Sequence, residues 1–339
     1  MKALFLTEPG KTAIRQVDEP QPGPEEVLLR IGMVGFCGGD LNGFRGLFEL
    51  QEYPNILGHE VGATIEKVGS QVPDTFTPGM KVTLSPYLNC GKCISCRKGR
   101  PNACQDNKTM GVRRPGAMTK YLAVHWSKLY ASQKLSLREL ALVEPLTVGF
   151  HAVTRGRVTA QDKVAVIGCG IVGIGAIAGS VNRGAEVIAI DIDESKMRIA
   201  KKIGAQHTIN TSQVDLHEAL MKITGGDGPD VFIEAVGSPA TYRTAVEEVA
   251  YTGRVVCIGY AKKPVEFNTG IFVRKEIEIL GSRNCQGEFT DVIRYLEEGK
   301  FPVDEVISKV VSLDEAGAAL AAWAENPGQV TKIMVDLDK

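Results

Sequence analysis

From Lys163 onward the chain alternates short apolar runs with helix-spaced segments. KVAVIG, EVIAIDI, DVFIEAVG and RVVCIG are strand-length runs rich in Val, Ile and Ala. Between them, IVGIGAIAGSVNRG, ESKMRIAKKIG and ATYRTAVEEVA carry apolar residues at helical spacing. That alternation predicts a doubly wound parallel sheet with helices on both faces. The first 150 or so residues have another texture. EEVLLRIGMV, VGATIEKVG and MKVTLSPY are short, rich in Val, Ile and Thr, and punctuated by Gly and Pro, which predicts a β-rich domain. RELALVEPLTVGFHAVTRG has helical spacing, with a break expected at Pro145. After EIEILGSRN come two more helical stretches, EFTDVIRYLEEGK and SLDEAGAALAAWAE, and a last strand, TKIMVDL. The expected organisation is α/β plus β. A β-rich domain spans residues 1–148 and 288–339, and the α/β domain is inserted at 149–287.

Composition narrows the classes of function. The chain has 339 residues, 44% of them hydrophobic and 23% charged, with a net charge of −1. Such a balance argues against a nucleic-acid surface and against electrostatic attraction to membranes. No apolar run approaches membrane-spanning length, and MKALFLTEPG lacks the apolar core of a signal peptide. Eight cysteines without a secretory segment are expected to be reduced thiols in a cytoplasmic protein.

Four of those cysteines, Cys90, Cys93, Cys96 and Cys104, fall within fifteen residues in the spacing C-x2-C-x2-C-x7-C. Thiolates at that spacing can converge on one point, the arrangement a structural zinc prefers. Disulfides and an iron–sulfur cluster are the competing readings. Further on, Gly168, Gly170 and Gly173 form G-x-G-x-x-G directly after a strand, with Ile171 and Val172 opening the helix that follows. This is the context a dinucleotide pyrophosphate requires: a tight turn, close backbone approach and a helix N-terminus. Asp191, at the end of the next strand, can accept both ribose hydroxyls and would repel a 2′-phosphate. NAD is therefore expected over NADP, with Lys196 supporting the adenosine end.

Cys37, His59, Glu60 and Glu144 are individually unremarkable, but their contexts VGFCGGDLN, ILGHEVG and LVEPL are not. With the cysteine lobe and the glycine fingerprint in the same order, the whole chain resembles the zinc-dependent medium-chain alcohol dehydrogenase family, in particular its sorbitol and threonine dehydrogenase-like branch. The resemblance implies a GroES-like catalytic domain split around a Rossmann domain, a second, catalytic zinc, and hydride transfer from a CH–OH group. It places Cys37, His59 and Glu144 as zinc ligands, with Glu60 binding the metal or exchanging with water. Asp40 would orient the histidine. Val236, Ile258, Ser282 and Arg283 would line the nicotinamide. A homodimer or homotetramer is implied as well.

The chain departs from the family where Gly39 and Asn42 replace the hydroxyl residue and the histidine that usually pass the substrate proton outward. Glu60 or Glu144 is then expected to accept that proton. Arg113 and Arg114 form a basic pair where relatives are less basic, and a guanidinium can grip a carboxylate or phosphate. Arg283 with Asn284 resembles the subgroup of L-galactonate and L-gulonate 5-dehydrogenases, so a polyol or sugar acid such as an aldonate is the expected substrate. L-threonine 3-dehydrogenase is the rival enzyme. A zinc-ribbon binding module without catalysis is the rival of another class. His151 is expected to pack or hydrogen-bond on its helix.

Overall fold

A computed structural model describes residues 1–339, the side chain of Gln329 excepted. The chain divides into two compact units, one of residues 1–144, 289–298 and 303–339, the other of residues 145–288 and 299–302. Among the described residues no helix is long and apolar enough to cross a membrane.

The first unit is built around the strand Glu26–Gly35, whose burial is almost continuous because three strands pair with it. These are Glu60–Val68, Tyr121–His125 and, from the far end of the chain, Ile333–Asp336, all antiparallel to it. Lys81–Leu84, Leu129–Ala131 and Lys309–Ser312 complete a seven-stranded sheet, and Lys2–Glu8 lies in a separate three-stranded one. Leu29, Ile31, Phe36, Val61, Ile65 and Leu84 are among its buried core. The register sets Gly35 opposite both Glu60 and Met334, which brings three remote segments to one place. The strand Lys309–Ser312, between the two helical stretches of the C-terminal region, had no signal strong enough to stand out in the sequence.

The second unit is a six-stranded parallel sheet. Its order is His207–Asn210, Glu186–Asp191, Lys163–Ile167, Val231–Glu234, Arg254–Cys257, Glu278–Gly281. This is the doubly wound Rossmann arrangement, with the order reversing at Lys163–Ile167. Ala165, Ile188, Ile190, Phe232 and Val255 are fully buried, as the apolar runs require. Local signals set the helix limits: Asp193 and Ser238 cap Glu194–Ile203 and Pro239–Glu248, and the first of these helices ends at Gly204 in the left-handed conformation. The strand His207–Asn210 was hidden in the polar text QHTIN.

One expectation is overturned. The helix Leu137–Arg155 runs straight through Pro145 and contributes residues to both units. Proline removes one helical N–H, but Leu142, Val143 and Leu146 around it are fully buried, and their packing holds the helix together across the gap.

Candidate metal and dinucleotide sites

In the parallel-sheet unit, Gly168 adopts φ +94 between the strand Lys163–Ile167 and the helix Ile171–Asn182. A Cβ on Gly173 would sit 1.7 Å from the Gly168 carbonyl oxygen, so the helix can approach the strand only with glycine there. A Cβ on Gly170 would meet no atom within 4 Å, so its backbone faces open space at the helix N-terminus. Asp191 is stitched into this turn: Oδ2 accepts the Cys169 amide at 2.6 Å, and Oδ1 accepts those of Ile192 and Asp193 at 2.7 and 3.0 Å. Its carboxylate is thereby fixed beside the glycine turn. Val236, at the end of the next strand, is half exposed, and Ile258 and Ser282 follow the two strands beyond. Lys196 lies in the first turn of the helix capped by Asp193, whose carboxyl it helps to stabilise in the charged form.

The four-cysteine lobe is drawn together as the spacing implies. Cys93 Sγ lies 3.5 Å from Cys96 Sγ and 3.8 Å from Cys104 Sγ, and Cys104 Sγ lies 3.5 Å from Cys90 Sγ. Four sulfurs about 2.3 Å from a central zinc form a tetrahedron with edges of about 3.8 Å. Bonded sulfurs would be about 2.05 Å apart, and all eight cysteines are free. One atom from each of the four lies within 4.8 Å of the others, room for one ion and not for a cluster. Hydrogen bonds from Ser95 and backbone amides pull the Cys93 thiol down to about 5, while burial and its sulfur neighbours push Cys96 up to about 12.

The second set assembles in the β-rich unit. Cys37 caps the helix Gly38–Phe44, its sulfur accepting the Gly39 and Asp40 amides at 3.0 and 3.4 Å. Asp40 closes the capping box by accepting the Cys37 amide at 2.8 Å. Its other oxygen and His59 Nδ1 are buried without a partner, so the expected Asp40–His59 hydrogen bond is not formed here. His59 precedes the strand Glu60–Val68, and ligand atoms of Cys37, His59 and Glu60 lie within 4.8 Å of one another. Glu144 stands outside that close group but near enough to act electrostatically on both His59 and Glu60.

Burial and Asp40 raise the Cys37 thiol. Burial opposes a charge on His59, yet Cys37, Asp40 and Glu144 together raise it well above the usual imidazole value. Glu60 is raised to about 7 by burial, with Lys332 working against the rise. Burial and neighbouring acids favour the neutral forms of Cys37 and Glu60, while the same acids favour the charged form of His59. A divalent cation would neutralise those acids, and a sulfur, imidazole and carboxylate set suits zinc.

Two partners in this region escaped the sequence reading. Lys332, 1% exposed, places Nζ 2.7 and 2.6 Å from the two Glu60 oxygens and 2.8 Å from the Phe36 carbonyl. Gly35 makes room for the pair, since a Cβ there would lie 2.0 Å from Glu60 Oε2. Tyr87 donates its hydroxyl to Glu144 Oε1, with both residues buried. A lysine inside the apolar strand text TKIMVDL was the available signal for the first. Nothing local marked the second.

The basic pair splits. Arg113 is neutralised by Asp106 at 3.1 Å and Glu52 at 3.5 Å. Arg114 is half-buried, gives one bond to the Pro86 carbonyl at 3.2 Å, and leaves Nε without a partner. Lys128, bonded to the Tyr87 carbonyl at 2.8 Å, lies close enough to feel the Arg114 charge. Burial and, for the lysine, that like charge lower both groups. Asn284 sits at φ +52 in the loop after Glu278–Gly281, half-buried like Arg283.

A GroES-like β unit carrying a Cys/His/Glu cluster and a four-cysteine lobe, with a Rossmann unit bearing a dinucleotide turn, defines a zinc-type dehydrogenase. Sequence comparison agrees. Residues 23–134 match the alcohol dehydrogenase GroES-like domain family, and residues 172–298 match the zinc-binding dehydrogenase family. Sorbitol dehydrogenase of Bacillus subtilis is 31% identical over 99% of this chain and 97% of its own length. L-Galactonate-5-dehydrogenase of Escherichia coli is 30% identical over 91% of each. A zinc-binding dehydrogenase from Sinorhizobium meliloti 1021, solved with NADP, superposes with a TM-score of 0.91 at 30% identity, covering 99% of this chain and 98% of that one. The chain belongs to the zinc-type medium-chain alcohol dehydrogenase family, and it is an oxidoreductase of CH–OH groups that works with a nicotinamide cofactor.

Proposed function

We propose that this chain oxidises a secondary hydroxyl of a polyol or sugar acid, an aldonate above all, using NAD and two zinc ions. The observation that carries the reading is the convergence of Cys37, His59 and Glu60 on one point, with Glu144 beside them. These four would hold the catalytic ion, and Cys90, Cys93, Cys96 and Cys104 a structural one. Bound zinc supplies Lewis acidity toward the substrate hydroxyl, and bound nicotinamide supplies the hydride acceptor. The chain's own residues do the rest. Glu60 or Glu144, whichever is not engaged by the ion, would take the substrate proton, since Gly39 and Asn42 offer no hydroxyl and no imidazole; Tyr87 orients Glu144. Asp40 fixes Cys37 through the capping box.

Asp191 favours NAD. Its carboxylate, bound by three amides, would have to lie against the extra charge of a 2′-phosphate. Gly168, Gly170, Ile171, Val172 and Gly173 would cradle the pyrophosphate, and Val236, Ile258, Ser282 and Arg283 the nicotinamide end. An acidic substrate is supported by Arg114 and Lys128, two neighbouring half-buried cations with no carboxylate paired to either among the described residues. A substrate anion would relieve their repulsion and engage the unpartnered Nε. Arg113, already paired twice, leaves this substrate set, and Asn284, in the parallel-sheet unit, stays a substrate candidate on the family resemblance alone.

NAD reduction against aldonates, neutral polyols and L-threonine, with zinc analysis of the same sample, tests the reading. Turnover is expected to be highest with an aldonate, at about two zinc per chain. A clear preference for neutral polyols removes the acidic substrate, and activity with L-threonine alone assigns the other enzyme of the branch. One zinc per chain and no turnover would point to a binding module.

A further inference from the structure

The loop 282–287, SRNCQG, leaves the edge strand Glu278–Gly281 and ends at Glu288. Both of its ends are tied to the helix Leu137–Arg155. His151 Nδ1 lies 2.8 Å from Glu288 Oε1, with the two side chains only 3% and 7% exposed. Arg155 Nε donates to the Gly281 carbonyl at 3.2 Å. Residues 151 and 155 are one helical turn apart and therefore share a face. The second Glu288 oxygen accepts the Gln286 amide, so the carboxylate also shapes the loop from within. Cys285 is buried at its centre, and Asn284 holds a left-handed turn, a conformation asparagine adopts more readily than most non-glycine residues.

We propose that His151 and Arg155 are positioning residues, a two-point clamp that holds the loop 282–287 in the conformation that receives the nicotinamide dinucleotide. This rests on the reading of Ser282 and Arg283 as cofactor residues. A loop of six residues free to wander must be ordered when a ligand binds, and that entropy is subtracted from affinity. Anchoring each end to a rigid helix orders it beforehand. The pair His151–Glu288 is suited to this because it is buried, where water does not compete for the hydrogen bond. Arg155 secures the other end from a more exposed position, so the buried anchor should dominate.

The test uses the full, metal-loaded chain and two readouts: deuterium exchange of the 282–288 segment, and steady-state kinetics with NAD and the best substrate of the panel. His151→Ala is expected to speed exchange in that segment and to raise the KM for NAD about tenfold, with kcat and substrate KM within about twofold of wild type. His151→Asn, whose amide can stand where Nδ1 stands, should restore most of both. Arg155→Met gives the same signature at smaller size and serves where His151→Ala does not fold. Faster loop exchange with an unchanged KM for NAD would overturn the proposal, as would loop exchange equal to wild type. A wild-type chain that binds neither NAD nor NADP would sink the cofactor reading itself, a result seen before any variant is made.

Discussion

Replacing Lys332 by methionine strips the hydrogen-bonded cation from a buried carboxylate. Lys332 and Glu60 are each about as buried as side chains become, with relative exposures of 1% on both sides of the ion pair. Methionine nearly conserves the volume, so the loss is electrostatic rather than a cavity. Breaking a buried pair from one side costs about 3–5 kcal/mol, because the remaining charge is left dry and unpaired. The Phe36 carbonyl loses its donor in the same step, and an unsatisfied buried acceptor accounts for about 1–3 kcal/mol of such losses.

Both tryptophans, Trp126 and Trp323, lie in the β-rich unit that contains the pair, so their fluorescence reports that unit's unfolding. With an m-value of about 2–3 kcal/mol per molar urea, the midpoint should fall by roughly 1–2.5 M. Glu60→Met combined with Lys332→Met should recover most of the loss, because paired apolar replacements of buried ion pairs are often neutral. A single-variant loss under about 0.5 kcal/mol, the size of an ordinary surface change, would refute the reasoning. So would a double variant weaker than the single one.

Three further outcomes are expected. Cys104→Ser should release one zinc per chain and make residues 90–104 the preferred site of limited proteolysis, while the parallel-sheet unit keeps its thermal transition; unchanged zinc content would contradict the geometry. Asp191→Asn should shift the ratio of kcat/KM for NADP over NAD upward by at least about tenfold, and an unchanged ratio would remove Asp191 from cofactor choice. Glu288 supplies a pH test. Burial acts to raise its pKa, but His151 and the Gln286 amide outweigh burial and hold it below the usual carboxylate value. A depressed carboxylate stabilises the fold fully above its unfolded pKa, about 4.5 or slightly less, and that contribution is lost as pH falls through the folded value. The stability gap between wild type and Glu288→Gln should therefore be present at pH 7 and close below about pH 4.5; a gap that widens with acid would contradict the pairing.

Much of this molecule was legible because its chemistry is local. The four cysteines meet within one short lobe, and the glycine turn is complete in six residues. The parallel sheet followed from apolar runs that no exposed strand could carry. Long-range pairings were less visible. His151 could be read as a hydrogen-bonding helix residue, but not as the partner of Glu288, 137 positions away. Pro145 misled because a local rule about proline was outweighed by burial on every side of the helix.

The deepest miss follows the same logic. Lys332 reaches Glu60 across 272 positions only because the strands Glu60–Val68 and Ile333–Asp336 both pair with Glu26–Gly35, in registers that coincide at Gly35. A register is a property of the assembled sheet, since a slip of one residue would turn each side chain to the other face. The sequence does contain the trace of it. A lysine directly before a buried strand must either snorkel to water or find an anion, and this one is too deeply buried to snorkel. Among the carboxylates of that unit, the one to seek is another charge that burial should forbid, and Glu60, fully buried at the start of its own strand, is such a group. Asp40 and Glu144 are buried in that unit as well, and the register that sets Glu60 opposite Gly35 selects it among the three. The same pairing bears on the metal site, because the carboxylate that Lys332 grips is one of the three groups that converge there. If the proposed ion binds there, how Glu60 divides itself between the lysine and the ion would be set by the register of the sheet, through an anchor directly before the strand Ile333–Asp336.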